Sequence, residues 1–313
     1  MTKTAWVFPG QGSQKVGMGI DLLDLPSAKA KFDQAHQILG WSVTEICQKE
    51  EAKLSQTIYT QPCLYVVESI LADEMLANSC QPNLVAGHSL GEYVALYVAG
   101  VFDFETGLKL VKKRAELMNN VTDGEMTALI GFDGKKLEEE LEQTPDVVLA
   151  NDNDSGQVVI SGTPEAIKIL LEKVKAKRAI KLNVSGAFHS PLMESPSREF
   201  QEILESVEFA DAKVPVISNF EPTATTDAGI IKKRLEQQMT NGVRWRETSL
   251  EMEKEGVKKV IEIGPGKVLS GLIKRVCSSL KLVNVSSLQQ CLAILNKEEG
   301  KEKKEEKKLI INN

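Results

Sequence analysis

Apolar residues follow two rhythms along the first 120 positions: short unbroken runs, and longer stretches with a helical period. "TAWVF" (4–8) and "LVAGHS" (84–89) read as buried strands. Between them helical patterning covers 27–39 and 61–79, the second opened by Pro62 at a first-turn position, where a missing N–H is tolerated. A third helix follows "GHSLG" directly. A fourth spans 104–118, with Asp103 as its N-cap. Strands alternating with helices predict an α/β core on a parallel sheet.

After residue 124 the rhythm changes. "MTALIGF" is a strand, "KKLEEELEQ" a helix, "VVLAN" a strand, and "DNDSG" a polar turn into the strand "QVVISG". "TPEAIKILLEKVKAK" is a helix capped by Thr163, and "AIKLNVS" is a last strand. The order β-α-β-β-α-β is the ferredoxin-like signature. Strand–helix units resume with "VPVISN" and "VKKVIEIGPGKVLSGLIKRV". The expected organisation is a discontinuous α/β-hydrolase-like large subdomain (1–124 and 191–296) carrying an inserted ferredoxin-like small subdomain (125–190). The Lys/Glu tail 297–313 lacks a core-forming pattern and is read as disordered, with no catalytic role.

Composition narrows the function classes. A net charge of −6 provides no global basic field for nucleic acid or an anionic membrane. No apolar run approaches the roughly 18–20 residues that span a bilayer. The first strand begins too early to leave room for a targeting peptide. Five dispersed cysteines without a CxxC pair point to free thiols in a reducing cytoplasm. Three histidines without clustered ligands argue against a metal site.

Two glycine-containing stretches carry candidate chemistry. "FPGQGSQKVGMG" follows the first strand, but its spacing fits neither a Walker loop nor a dinucleotide fingerprint, since Lys15 stands where a second or third glycine is required. Its glycines still imply a close backbone approach. Gly87-His88-Ser89-Leu90-Gly91 is G-x-S-x-G between an apolar strand and a helix. A sharp elbow there pushes Ser89 Oγ outward, and the helix N-terminus offers amide N–H groups, starting at Leu90, to an oxyanion. The alternative is a plain strand–helix turn capped by Ser89.

Serine needs a base. His36 shares a helix face with Phe32, Ala35 and Leu39 and reads as a packed residue; His88 adjoins the serine but points elsewhere from the elbow. By elimination His189, at the junction of the two subdomains, is the base. No acidic residue stands out to orient it, so a backbone carbonyl and a Ser–His dyad are expected. On the helix 104–118, Arg114 projects between Met118 and Leu110 inside the apolar stripe, opposite Lys109, Lys112, Lys113 and Glu116. It is either a snorkelling or ion-paired arginine, or a fork aimed at an anionic substrate. With the serine and histidine, the second reading suggests acyl transfer from a substrate bearing a free carboxylate.

"FPGQGSQ", "GHSLGEYVAL", Arg114, "NDNDSGQVVISG", "GAFHSPLM", "NGVRW" and "EIGPGKVL" together resemble the malonyl-CoA:acyl-carrier-protein transacylases of dissociated fatty-acid synthesis, over about residues 3–290. The resemblance implies a ping-pong reaction through malonyl-Ser89 with His189 as base. It implies an oxyanion hole from the backbone N–H groups of Gln11 and Leu90, and a carboxylate grip by Arg114. It implies that His189 is held by a carbonyl in "NGVRW", taken as Arg244 O. Gln61, Asn153 and Gln157 match pocket positions. Phe188 matches the malonyl-selective form of its motif, where an aromatic crowds an α-methyl branch. The implied partners are malonyl-CoA and an acidic acyl carrier protein docking on basic residues of "VKKRAELM" or "GLIKRV"; no cofactor is needed, and a monomer is expected. The alternatives are a trans-acting acyltransferase of a polyketide synthase, an acyl-thioester hydrolase, and an inactive carrier-binding scaffold.

Overall fold

The structure is a computed structural model describing residues 2–295. The expectation for the charged tail falls outside the described residues. Five strands form one parallel sheet: β1 (Thr4–Phe8), β2 (Leu84–Gly87), β7 (Val216–Ile217), β8 (Lys259–Ile263) and β9 (Lys281–Val285), in the order β7-β2-β1-β8-β9. Four strands form a separate antiparallel sheet: β3 (Glu125–Phe132), β4 (Val147–Asp154), β5 (Gln157–Gly162) and β6 (Ala176–Lys181), in the order β4-β5-β3-β6. That order, with one helix after β3 and one after β5, is the ferredoxin-like arrangement.

The helices preceding the elbow are α1 (Pro26–Leu39), α2 (Val43–Lys49), α3 (Glu51–Leu54) and α4 (Thr57–Ala77). After it come α5 (Gly91–Val98) and α6 (Phe104–Asn119), then α7 (Gly134–Gln143) and α8 (Pro164–Lys173) on the antiparallel sheet. After the antiparallel sheet come α9 (Glu194–Glu205), α10 (Ala228–Gln237), α11 (Trp245–Lys254) and α12 (Val268–Val276). Among the described residues no helix is long and apolar enough to cross a membrane, and no disulfide links the five cysteines.

Side-chain caps set several helix starts. Asp103 caps α6 by accepting from Thr106 N at 2.8 Å, and Thr163 caps α8 through Ala166 N at 3.2 Å. α4 differs from expectation. It begins at Thr57 rather than beside Pro62, because Thr60 Oγ1 bonds to Leu54 O and Gln56 O and anchors a turn upstream of the proline. β6 also moves three residues toward the N-terminus. It is an exposed strand pairing Ala176–Lys181 with β3, so the apolar cue in "AIKLNVS" misplaced it. β9 was not anticipated from the sequence.

The antiparallel sheet packs through β4 against the segment between α10 and α11 and against α11 and α12, along a seam that places the site. Asp152 N donates to Val243 O at 2.9 Å and Val243 N to Ala150 O at 2.8 Å. Arg246 and Arg275 pair with Asp152 and Asp154 at the end of β4. The segment between α10 and α11 is thereby held beside the C-terminal end of β2, where the elbow lies. Ligands in open parallel sheets bind at that edge.

Candidate active site

Ser89 sits at φ 51, in the left-handed region, at the strand-to-helix elbow. A non-glycine residue holds that conformation only where its surroundings impose it. Here Ser89 N donates to Asn219 Oδ1 at 2.7 Å, and Ser89 O accepts from Gln238 Nε2 at 3.0 Å. Asn219 Nδ2 also donates to Gly87 O at 2.6 Å. The turn is thus pinned from outside by two amides that the sequence reading did not single out.

The first glycine-rich stretch packs directly on this turn. His88 N donates to Phe8 O at 3.0 Å. A Cβ on Gly10 would strike His88 O, and one on Gly91 would strike Phe8 O. Glycine is required at both places because two backbones meet there. Among the described residues the Gln11 and Leu90 amides donate to no acceptor. The side chain of Gln11 is drawn the other way, with Nε2 on Thr57 Oγ1 at 3.0 Å.

His189 also adopts a left-handed φ, 58, and is buried. Its Nε2 lies 2.8 Å from Ser89 Oγ. Its Nδ1 faces Gln238 O at 2.8 Å and Asn241 O at 3.2 Å. Two carbonyls fix the tautomer: Nδ1 carries the proton and Nε2 is free to accept from the serine. The expected Arg244 O does not have this role. It accepts from Thr248 in the first turn of α11; the nearer acceptor, Gln238 O, lies six residues earlier, just past α10, and the second, Asn241 O, belongs to the first residue of the expected "NGVRW" segment. Burial, and then the charge of Arg114, hold the imidazole down to about 3.

Arg114 is fully buried. Nη1 donates to Gln61 Oε1 at 2.8 Å; Nη2 donates to Gln238 Oε1 and to Ser89 Oγ, each at 3.0 Å. Nε has no partner among the described residues, and the guanidinium lies over the Tyr93 ring at 5.4 Å. Its bonded partners are neutral amides and a hydroxyl. A buried cation left without a directly bonded carboxylate retains its demand for an anion.

Gln61 therefore joins the site through Arg114. Phe188 is buried in the main core beside His189. Asn153 and Gln157 do not reach the serine: Asn153 Oδ1 bonds to His88 Nε2 at 3.0 Å, and Gln157 Oε1 accepts from Arg275 at 2.9 Å, on the seam. The expected basic docking helices are also partly spent. Lys109 and Lys113 pair with Glu105 and Glu199, and Arg275 with Asp154. Among the described residues no group of three or more metal-ligating side chains is present.

A serine on a strand–helix elbow, a neutral imidazole on its hydroxyl and two unspent amides, Leu90 at the helix start and Gln11 in the loop after β1, can form and break an acyl-serine ester. The chain belongs to the acyl transferase family (acyl transferase domain), matched over residues 5–309. It is 55% identical over 286 residues to a malonyl CoA-acyl carrier protein transacylase of Synechocystis, covering 91% of this chain and 98% of that one. The crystal structure of the Synechocystis malonyl-CoA:ACP transacylase superposes with a TM-score of 0.92 at 54% identity, covering 93% of this chain and 99% of that one. A polyketide-biosynthesis malonyl CoA-acyl carrier protein transacylase of Bacillus subtilis is 40% identical over 279 residues, covering 87% of this chain and 96% of that one.

Proposed function

We propose that this chain transfers the malonyl group from malonyl-CoA to the phosphopantetheine thiol of an acyl carrier protein, through malonyl-Ser89, in support of fatty-acid elongation. The observation that carries the reading is the convergence on Ser89 Oγ of His189 Nε2 at 2.8 Å and Arg114 Nη2 at 3.0 Å. A base and a buried cation share one nucleophile.

In the first half-reaction Oγ attacks the thioester carbonyl as His189 Nε2 takes its proton. The carbonyl oxygen becomes an oxyanion facing the Gln11 and Leu90 amides, where one donor is worth about 2.7–4 kcal/mol. Collapse breaks the C–S bond, and the imidazolium returns its proton to the departing CoA thiolate. The second half-reaction repeats the steps with the carrier thiol as nucleophile and Ser89 Oγ as leaving group. Arg114 grips the malonyl carboxylate in both halves, and Phe188 narrows the space for an α-methyl branch, a discrimination of about 1–3 kcal/mol. The enzyme needs no cofactor of its own, and we place it in the cytoplasm.

The test is single-turnover acylation. Malonyl-CoA should release one equivalent of CoA and add one malonyl group, and Ser89→Ala should abolish both. CoA release that persists in Ser89→Ala would refute the covalent route. The Bacillus polyketide relative favours a second reading with the same chemistry and a different carrier; comparing carrier proteins kinetically separates the two.

A further inference from the structure

Glu92 lies on the buried side of α5, one turn beyond the elbow, and is 1% exposed. A carboxyl group withdrawn from water is costly unless donors face it. Two do so at Oε2: Gln238 Nε2 at 2.6 Å and Asn219 N at 3.3 Å. Both donors belong to residues that also hold the reacting groups. Asn219 Oδ1 accepts Ser89 N–H, and Gln238 accepts from Arg114 at Oε1 and from His189 at its main-chain oxygen.

The Gln238 amide stands between a cation and a carboxyl group, and its two ends are chemically opposite. With Nε2 toward Glu92 and Oε1 toward Arg114, both neighbours are paired. Flipped, the amide would set NH2 against a guanidinium donor and oxygen against a carboxyl oxygen. Glu92, together with Ser89 O, which accepts from the same Nε2 at 3.0 Å, thereby selects the orientation that anchors Arg114. The spacer also keeps Glu92 from pairing with Arg114 directly, a contact that would occupy the fork a substrate carboxylate needs.

We propose that Glu92 is a positioning residue for acyl-group selection, holding Arg114 through the Gln238 amide and the Ser89 main chain through Asn219. The inference rests on the malonyl-transfer reading. Its test is the rate of Ser89 acylation by malonyl-CoA and by acetyl-CoA in the wild type, Glu92→Leu, Glu92→Gln, Gln238→Met and the Leu/Met double variant. Glu92→Leu removes the nearer of the two acceptors that orient the amide, leaving Ser89 O at 3.0 Å, and should lower the malonyl-to-acetyl ratio by about tenfold or more. Glu92→Gln keeps an acceptor oxygen for the Gln238 amide and should stay within about threefold of the wild-type ratio, a rescue that a purely space-filling role would not produce. Gln238→Met retains the main-chain contact to His189 and should lower the ratio as Glu92→Leu does, with no further loss in the double variant. If Glu92→Leu does not fold, Glu92→Asp, which withdraws the carboxyl by one methylene, should lower the ratio in its place. The proposal is overturned by a folded Glu92→Leu or Glu92→Asp with the wild-type ratio, by Glu92→Gln falling as far as Glu92→Leu, or by losses that add in the double variant. A wild-type enzyme with no malonyl preference would overturn the malonyl reading itself, and that result precedes any variant.

Discussion

Replacing Arg114 with alanine removes three hydrogen bonds with different meanings. The bond from Nη2 to Ser89 Oγ serves every acyl donor alike. The bonds to Gln61 and Gln238 are structural, and their loss leaves two buried amide oxygens unpaired, at about 1–3 kcal/mol of stability each. The grip on the acyl carboxylate is made only when the donor carries one. A charge-assisted hydrogen bond contributes about 1.5–3 kcal/mol, or roughly 10–150-fold. The fork is fully buried and its nearest partners are neutral, so the loss should lie toward the upper end of that range. Dividing kcat/KM for malonyl-CoA by that for acetyl-CoA cancels the first two effects and isolates the third. We expect the ratio in Arg114→Ala to fall by about 30–100-fold, while both individual rates also drop. The assay is CoA release at limiting donor, on protein whose fold is verified by thermal melting. An unchanged ratio in a folded variant would refute the assignment of Arg114 to the carboxylate.

Further expectations follow from the same geometry. Because burial and Arg114 hold His189 near 3 rather than 6.5, the acylation rate should show no imidazole inflection between pH 8 and about 5.5; a rate that halves near pH 6.5 would contradict this. The unfolded imidazole binds a proton near 6.5 and the folded one only near 3, so its contribution to stability is complete above 6.5 and is lost as pH falls through that window. Urea titrations at pH 7 and pH 5 should show a smaller pH dependence in His189→Asn than in the wild type. Glu92 runs the other way: burial first raises it to about 7, so its contribution is complete below 4.5 and is lost as pH rises through 7. Gly10→Ala drives a Cβ into the His88 carbonyl and should cost about 1–3 kcal/mol in stability, read from the urea midpoint, together with acylation activity; a fully active, stable variant would show that the two backbones do not meet. Asn219→Ala leaves Ser89 N–H and Gly87 O unpaired and should lose about 1–3 kcal/mol of stability by the same titration.

The elbow was legible because its information is local: two glycines, a serine, an apolar strand before and a helix after. Arg114 was legible because helix phase alone puts it in the apolar stripe. The acceptors for His189 were not, because a main-chain carbonyl carries no residue signature. The resemblance points to Arg244 within "NGVRW", whereas the oxygens belong to Gln238, just past α10, and to Asn241, the first residue of that segment. Asn219 and Gln238 reach the serine across 130 and 149 residues, and their type is common enough to pass unnoticed. One signal was available: Glu92 is a carboxylate at the start of the otherwise apolar helix "GEYVALYV", and a charge in that setting requires buried partners. Asn153 and Gln157 show the opposite failure. They match pocket positions in sequence, yet Asn153 is spent on His88 and Gln157 on Arg275 at the seam.

The central claim is that malonyl-Ser89 is an intermediate on the way to a carrier thiol. The direct measurement is to isolate the malonylated protein by intact mass and follow its decay with and without holo-acyl carrier protein. The account predicts a stable adduct in buffer, rapid discharge by the carrier with one malonyl group appearing on its phosphopantetheine, and no adduct in Ser89→Ala. An adduct that hydrolyses as fast without the carrier as with it would contradict the account and make the protein a thioester hydrolase.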